Sequence, residues 1–186
     1  MNSPLRILGI AGSLRKQSFN RRILQAAQAL VPNDTILETF DSLHQVPAFN
    51  QDEEANPPAV IVEFKRHIRA ADAILFTTPE YNYSVPGVLK NAIDWASRPY
   101  GDSAWTGKPV AVMSASGGIL GGARAQYALR QSFVFLNMFA VNQPEVMIAK
   151  ANEKFDSKGS LTDETSKRLI AQLLQNLVDW TRRLQK

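Results

Sequence analysis

The sequence predicts an α/β domain built as a three-layer, doubly wound sheet of five parallel strands. The chain has 186 residues, which fits one ordinary domain, and its 45% hydrophobic and 20% charged residues allow a packed core. Short apolar runs alternate with stretches of helical periodicity along the whole chain. Because parallel neighbours need crossover helices, this alternation is typical of a parallel sheet covered on both faces.

The first half of the chain contains three of the predicted strands. The strands are short apolar runs, and the helices repeat apolar residues at intervals of three and four. In chain order we expect a strand over Arg6–Ala11, a helix over Asn20–Val31, a strand over Thr35–Thr39, a long proline-containing loop over Asp41–Pro58, a helix over Ala59–Ala71 and a strand over Ala73–Thr78.

The second half predicts two more strands and three more helices. We expect helices over Val85–Ser97 and Ala123–Met138, a strand over Pro109–Ser114 and another within Phe139–Ile148. Pro86 falls in the first turn of its helix, where proline is tolerated. The last helix is predicted to start at Thr162 as N-cap, with Asp163 and Glu164 in its first turn.

Composition excludes several kinds of chemistry. The chain has no cysteine, which rules out disulfides, thiolate zinc sites and a cysteine nucleophile. Two histidines, His44 and His67, make a histidine-based metal centre or a catalytic triad improbable. The N-terminus has no secretory pattern and no apolar run approaches the ~18 residues of a membrane span, so we expect a cytoplasmic protein without a membrane partner.

The charge is uneven along the chain. The net charge is +4 and the pI is about 9.5, yet before Asp34 there are five basic residues and no acidic one. A nucleic-acid-binding domain is a competing reading, but no recognition-helix or RNP-type signature accompanies the charge, so no nucleic-acid partner is expected. The basic first third is suited to attract an anion locally, and the alternative for Arg21 and Arg22 is an ordinary solvated helix face.

The loop after the first strand predicts a phosphate site. A helix follows this loop, and unpaired N–H groups at a helix start favour an anion. The alternative is a polar turn with Ser18 or Asn20 as helix cap. Residues Gly9–Ser13 loosely resemble the start of a G-x-G-x-x-G pattern, which leaves a dinucleotide-binding domain open. The loop offers two hydroxyls, two amides and a guanidinium, from Ser13, Arg15, Gln17, Ser18 and Asn20.

The loops after the third and fourth strands predict a flat ligand. In open α/β sheets the ligand lies at the carboxyl ends of the strands, so these loops and the first one are expected to meet. One alternates polar and aromatic residues over Pro79, Glu80, Tyr81, Asn82 and Tyr83. The other, over Ala115–Gly122, has four glycines that let backbone amides approach a ligand closely.

Three motifs resemble those of the NADPH-dependent FMN reductase family, in particular bacterial quinone and chromate reductases of flavodoxin-like fold. The resemblance covers roughly residues 5–150. The motifs are Gly12-Ser13-Leu14-Arg15-x-x-Ser18-x-Asn20, then Pro79-Glu80-Tyr81-Asn82-Tyr83-Ser84-Val85-Pro86-Gly87-x-Leu89-Lys90-Asn91-Ala92-Ile93-Asp94-Trp95, and Gly121-Gly122-Ala123-Arg124.

The resemblance implies that residues 1–186 form one flavodoxin-like domain with FMN as bound cofactor. By this similarity the ribityl chain and isoalloxazine ring would rest on the loop after the third strand, and the backbone of the fourth-strand loop would line the ring's other edge. The implied phosphate contacts are Ser13, Arg15, Gln17, Ser18 and Asn20, and the implied ring contacts are Pro79, Glu80, Tyr81, Asn82, Ala115, Ser116 and Gly117.

The resemblance also implies an activity. NADPH is the transient co-substrate of a ping-pong reaction that delivers two electrons to quinones or to similar acceptors such as chromate and azo compounds. No protein group is required as a catalytic residue, because the chemistry belongs to flavin N5. A homodimer or homotetramer is implied, and the apolar segment from Tyr127 to Phe139 supports it. The alternative is a non-enzymatic flavodoxin-like electron carrier, although such carriers are usually strongly acidic.

Overall fold

The computed structural model describes residues 3–186 and confirms the doubly wound α/β fold. All strand pairs are parallel, in the order β2-β1-β3-β4, with β5 and β6 both pairing with the outer side of β4. The strands are β1 (Leu5–Ala11), β2 (Thr35–Thr39), β3 (Ala73–Thr77), β4 (Pro109–Ala115), β5 (Phe139–Ala140) and β6 (Val146–Ile148).

Five α-helices cover the two faces of the sheet. Alternating side chains of each strand point to opposite faces, so Ile7 packs under α1 and α5 while Leu8 packs under α2, α3 and α4. Both faces are apolar because both are buried, as expected for a parallel sheet. The helices are α1 (Phe19–Gln28), α2 (Ala59–Ala70), α3 (Gly87–Ala96), α4 (Ala123–Leu136) and α5 (Glu164–Leu184).

The predicted fifth strand is divided into two pieces. Phe139–Ala140 pairs with the start of β4 and Val146–Ile148 with its end. Pro144 lies between them and cannot donate to a strand ladder. The long loop over residues 41–58 also contains two short 3-10 helices, Ser42–Gln45 and Gln51–Glu53.

Two predicted helix starts are wrong. α3 begins at Gly87, because Pro86 is its extended N-cap instead of a residue of its first turn. α5 is capped by Asp163 and not by Thr162, whose hydroxyl donates to the carbonyl of Lys154 at 3.2 Å. One carboxylate oxygen of Asp163 accepts from the Ser166 N–H at 2.9 Å, and hydrogen bonds from Lys154 and Ser166 lower the pKa of Asp163 to about 2.

Among residues 3–186, no helix is both long enough and apolar enough to cross a lipid bilayer.

Candidate functional site

A cavity of about 130 Å³, which we call the loop cleft, lies where β1, β3 and β4 end at the same edge of the sheet. The three loops that follow these strands meet there, as predicted from the topology. Ten of the twelve predicted site residues line it, together with Phe19: Ser13, Arg15, Ser18, Asn20, Pro79, Glu80, Tyr81, Ala115, Ser116 and Gly117.

The loop after β1 turns sharply into α1. The Gly12 N–H donates to the carbonyl of Thr77 at 2.8 Å, which ties this loop to the end of β3. A Cβ on Gly12 would lie 2.8 Å from Leu89 Cδ2, so any larger residue at this position would force the buried Leu89 side chain to shift. Ser18 is the N-cap of α1, and its hydroxyl oxygen accepts from the Asn20 N–H at 3.2 Å. The start of α1 therefore faces the loop cleft with its remaining N–H groups.

Asn20 joins two of the three loops. Its Oδ1 accepts from the Ala115 N–H at 3.0 Å, and its Nδ2 donates to the Ala115 carbonyl at 2.9 Å. Its own carbonyl accepts from the Thr77 hydroxyl at 2.9 Å, and the residue is only 2% exposed. Asn20 thus positions the end of β4 beside the start of α1 and retains one amide hydrogen for a ligand.

The donors at this end of the loop cleft fit a phosphate group. Arg15 is exposed and forms no ion pair within residues 3–186. The Ser13 hydroxyl accepts from the Arg15 N–H at 3.4 Å and keeps its own hydrogen to donate. A guanidinium, a hydroxyl and a helix N-terminus form a donor set that a phosphate monoester satisfies.

The loop after β3 forms a tight two-residue turn. Tyr81 and Ser84 exchange both backbone hydrogen bonds, at 3.2 and 3.0 Å. Asn82 and Tyr83 between them have φ values of 50° and 65°, the pattern of a type I′ turn. The turn leaves Tyr81 47% and Tyr83 69% exposed, and Tyr81 is the ring of the two that lines the loop cleft.

Glu80 ties this turn to α4. Its Oε2 accepts from the N–H groups of Arg124 and Ala125, at 3.0 and 3.3 Å, in the first turn of that helix. Its Oε1 accepts from Arg124 Nη1 at 3.1 Å, and the same guanidinium lies 3.7 Å from the centre of the Tyr83 ring. The Glu80 carboxylate is therefore engaged within the protein, and the backbone of this segment is the part left for a ligand.

The loop after β4 depends on two glycines. Gly121 and Gly122 have φ values of 59° and 90°, and their Cβ atoms would lie 2.6 Å from the Met147 carbonyl carbon and 2.8 Å from Ser114 Cβ. Ser114 donates to the Gly121 carbonyl at 2.6 Å, and Gln126 donates to Ser114 and to the Val146 carbonyl. This packing fixes the loop, and Ser116 and Gly117 reach the loop cleft.

Two of the twelve predicted site residues lie outside the loop cleft, and two further residues at the site are not among the predicted ones. Gln17 and Asn82 are exposed and do not line the loop cleft. The predicted site residues do not include Phe19, whose ring centre lies 5.5 Å from that of Phe155, or Gln126. The only signal for Phe19 was its place at the start of α1, whereas Gln126 gave none, because its partners are brought close only by the fold.

The family model and the relatives that match this chain agree with one another. The family model for NADPH-dependent FMN reductase matches residues 5–153. An NAD(P)H-dependent FMN reductase from Pseudomonas aeruginosa is 52% identical over 99% of both chains. A quinone reductase from Pseudomonas putida is 47% identical over 89% of both.

A solved structure shows the same fold and is also similar in sequence. FerB, a flavoenzyme NAD(P)H:(acceptor) oxidoreductase from Paracoccus denitrificans, superposes with a TM-score of 0.88 at 35% identity, covering 96% of this chain and 98% of its own. The family match, the relatives and the loop cleft at the carboxyl edge of the sheet lead to one assignment: the chain is an oxidoreductase that belongs to the NADPH-dependent FMN reductase family.

Proposed function

We propose that the chain binds FMN in the loop cleft and uses NAD(P)H to reduce quinones. The observation that carries this proposal is the convergence of a phosphate-type donor set and a flat, aromatic-edged surface in one cavity. The named relatives act on FMN or quinones, and they match this chain along nearly its whole length. On this proposal residues 1–186 form one FMN-binding domain.

The phosphate of FMN is assigned to the start of α1. Arg15 supplies two parallel donors and the only formal charge lining the loop cleft besides Glu80. Ser13, Ser18 and Asn20 supply hydroxyl and amide groups, and Gln17 lies near enough in sequence to join them from the exposed side. Because the cavity of about 130 Å³ is small for a whole flavin nucleotide, we place the flat ring at its open mouth.

The ring is assigned to the other two loops. Pro79, Glu80, Tyr81 and Asn82 form one side, and Ala115, Ser116 and Gly117 the other. The Gly117 N–H is accessible because this exposed residue has no side chain to cover it. When bound, FMN accepts a hydride from a nicotinamide and supplies two electrons to the acceptor. Backbone N–H groups near the ring would stabilise negative charge that develops there.

The reaction scheme follows from the open mouth. The nicotinamide and the acceptor both need the exposed side of the ring, so they bind in turn, as a ping-pong scheme requires. The same exposed surface accommodates flat acceptors such as quinones and azo compounds, and Arg15 and Lys16 add attraction for anionic acceptors such as chromate.

The visible spectrum of the purified protein tests this proposal. We expect a yellow protein with flavin absorption that is bleached by NADPH without oxygen and recovers when benzoquinone is added. Steady-state oxidation of NADPH should then depend on benzoquinone, with parallel double-reciprocal plots. A yellow protein that does not oxidise NADPH would instead be a flavodoxin-like carrier, and a protein that remains colourless in excess FMN would contradict the assignment of the loop cleft.

We also propose that the chain forms a homodimer or homotetramer through α4. Leu129 and Phe133 cover the sheet, yet Val134 is 84% and Phe135 75% exposed. Tyr127 and Val134 are seven residues apart and lie on the same side of the helix. The exposed apolar residues Ile119 and Leu120 lie in the loop between β4 and α4, and Ser116 and Gly117 of the same loop line the loop cleft. A second copy of the chain seated there would cover the ring.

Replacing Val134 and Phe135 by glutamate should dissociate the oligomer. Desolvating two carboxylates in an apolar interface is costly, whereas the monomer tolerates charge at exposed positions. Sedimentation velocity at micromolar concentration should show the wild type at a multiple of 20.6 kDa and the variant at 20.6 kDa. The control is Val62→Glu, on exposed α2 surface. A wild type that sediments as a monomer would contradict the proposal.

A further inference from the structure

A second and larger cavity of about 870 Å³, which we call the basic groove, adjoins the loop cleft. The two share Ser13, and Leu14 and Lys16 on either side of Arg15 line the basic groove. Its other walls are the exposed side of α1, the segment after β2 from Thr39 to His44, and residues 158–159. A ligand that lies in the basic groove can therefore extend to the Ser13 end of the loop cleft.

The basic groove is lined by cations without acidic partners. Lys16, Arg21, Arg22 and Lys158 line it, and Asp41 is the one carboxylate among the lining residues. Within the chain from residue 3 onward, none of these four cations forms an ion pair, although eleven ion pairs exist elsewhere. Asp41 instead accepts from the Thr39 hydroxyl at 3.3 Å. Such an unbalanced cluster is suited to a ligand with several negative charges.

We propose that the basic groove binds the 2′-phosphorylated adenosine diphosphate half of NADPH and thereby makes the enzyme prefer NADPH to NADH. This inference rests on the proposed function, because it places the other half of the same co-substrate over the loop cleft. The pyrophosphate and the 2′-phosphate carry the negative charge that the four cations lack. Leu14, which is 44% exposed beside them, offers apolar surface to the adenine.

Two of the cations are the best candidates for the 2′-phosphate. Arg22 is already in use, because its guanidinium packs against Gly159 and over the Phe155 ring. Lys16 follows Arg15 directly, so it is placed nearest the FMN phosphate. Arg21 on α1 and Lys158 in the facing segment form no ion pair within residues 3–186 and are not assigned to another group of the ligand. Both line the basic groove, and both are farther from Arg15 in sequence than Lys16 is. We therefore assign the 2′-phosphate to Arg21 and Lys158.

The probe for this site is 2′,5′-ADP, measured against 5′-AMP by isothermal titration calorimetry. We expect 2′,5′-ADP to bind at least about tenfold more tightly than 5′-AMP. The double substitution Arg21→Gln with Lys158→Gln should remove most of that difference. In steady-state assays it should raise KM for NADPH about tenfold and leave kcat and the KM for NADH unchanged.

The matched control is Arg183→Gln, which removes an exposed cation in the last turn of α5 that does not line the basic groove. It should leave the affinity for 2′,5′-ADP unchanged. Equal binding of 2′,5′-ADP to the double variant and the wild type would overturn the inference, as would displacement by inorganic phosphate at the concentration at which 5′-AMP competes. A protein that binds 2′,5′-ADP but never retains FMN would contradict the proposed function and leave the basic groove intact, so the two failures are distinguishable.

Discussion

Asn20→Ala should destabilise the protein by about 2–6 kcal/mol, because it leaves the buried N–H and carbonyl of Ala115 without partners at a cost of roughly 1–3 kcal/mol each. Both of these hydrogen bonds, at 3.0 and 2.9 Å, run to the Asn20 side chain. For a chain of this length, at about 2–4 °C per kcal/mol, the thermal midpoint should fall by roughly 4–24 °C. The affinity for FMN should fall as well, since the loop after β4 loses its attachment to α1. Differential scanning calorimetry with and without FMN measures both effects.

A matched control for this substitution is Gln172→Ala on the exposed side of α5. It removes an exposed amide of similar size that forms no side-chain hydrogen bond within residues 3–186, so the unfolding free energy should change by less than about 0.5 kcal/mol. If Asn20→Ala melted at the temperature of the control, Asn20 would not be the connection between the two loops.

Arg15→Ala should weaken FMN binding by about ten- to a hundredfold while leaving the fold unchanged. Hydrogen bonds to charged groups contribute about 1.5–3 kcal/mol, and 1.4 kcal/mol corresponds to a factor of ten. Arg15 is exposed and unpaired in the described chain, so its removal breaks no internal contact of its side chain. Recovery of FMN fluorescence on dilution gives the dissociation constant, and far-ultraviolet circular dichroism checks the fold.

Arg15→Lys separates charge from geometry at the same position. Lysine keeps the positive charge but cannot form two parallel hydrogen bonds, so its FMN affinity should lie between those of the wild type and the alanine variant. An alanine variant that retains FMN with wild-type affinity would show that the phosphate lies elsewhere, and the assignment of the α1 end of the loop cleft would be wrong.

The meeting of the three loops is predictable from the sequence, because topology alone brings the ends of β1, β3 and β4 to one edge of the sheet. Ten of the twelve predicted residues line the loop cleft for this reason. The internal tasks of some of them were not predictable. Asn20 bonds to Ala115, 95 residues away, and Glu80 caps α4 across 44 residues. Local patterns indicate that a residue is polar and in a loop, but they do not identify partners so distant in sequence.

The errors in the fold prediction have a similar cause. The apolar segment from Phe139 to Ile148 was expected to contain one strand, but pairing with the two ends of β4 divides it into two. The sequence favours Thr162 as the N-cap of α5 because threonine is a good cap. In the structure the Thr162 hydroxyl donates to the Lys154 carbonyl, and the neighbouring Asp163 is the N-cap. In both cases a tertiary contact decided between two locally acceptable choices.

The carboxylate of Glu80 ties the loop after β3 to the start of α4, and the amide of Asn20 ties the start of α1 to the end of β4. A pocket whose walls are held by the protein's own hydrogen bonds spends little conformational entropy on association, so more of the contact energy appears as affinity. On the proposed function, contacts to FMN would add to these hydrogen bonds without replacing them.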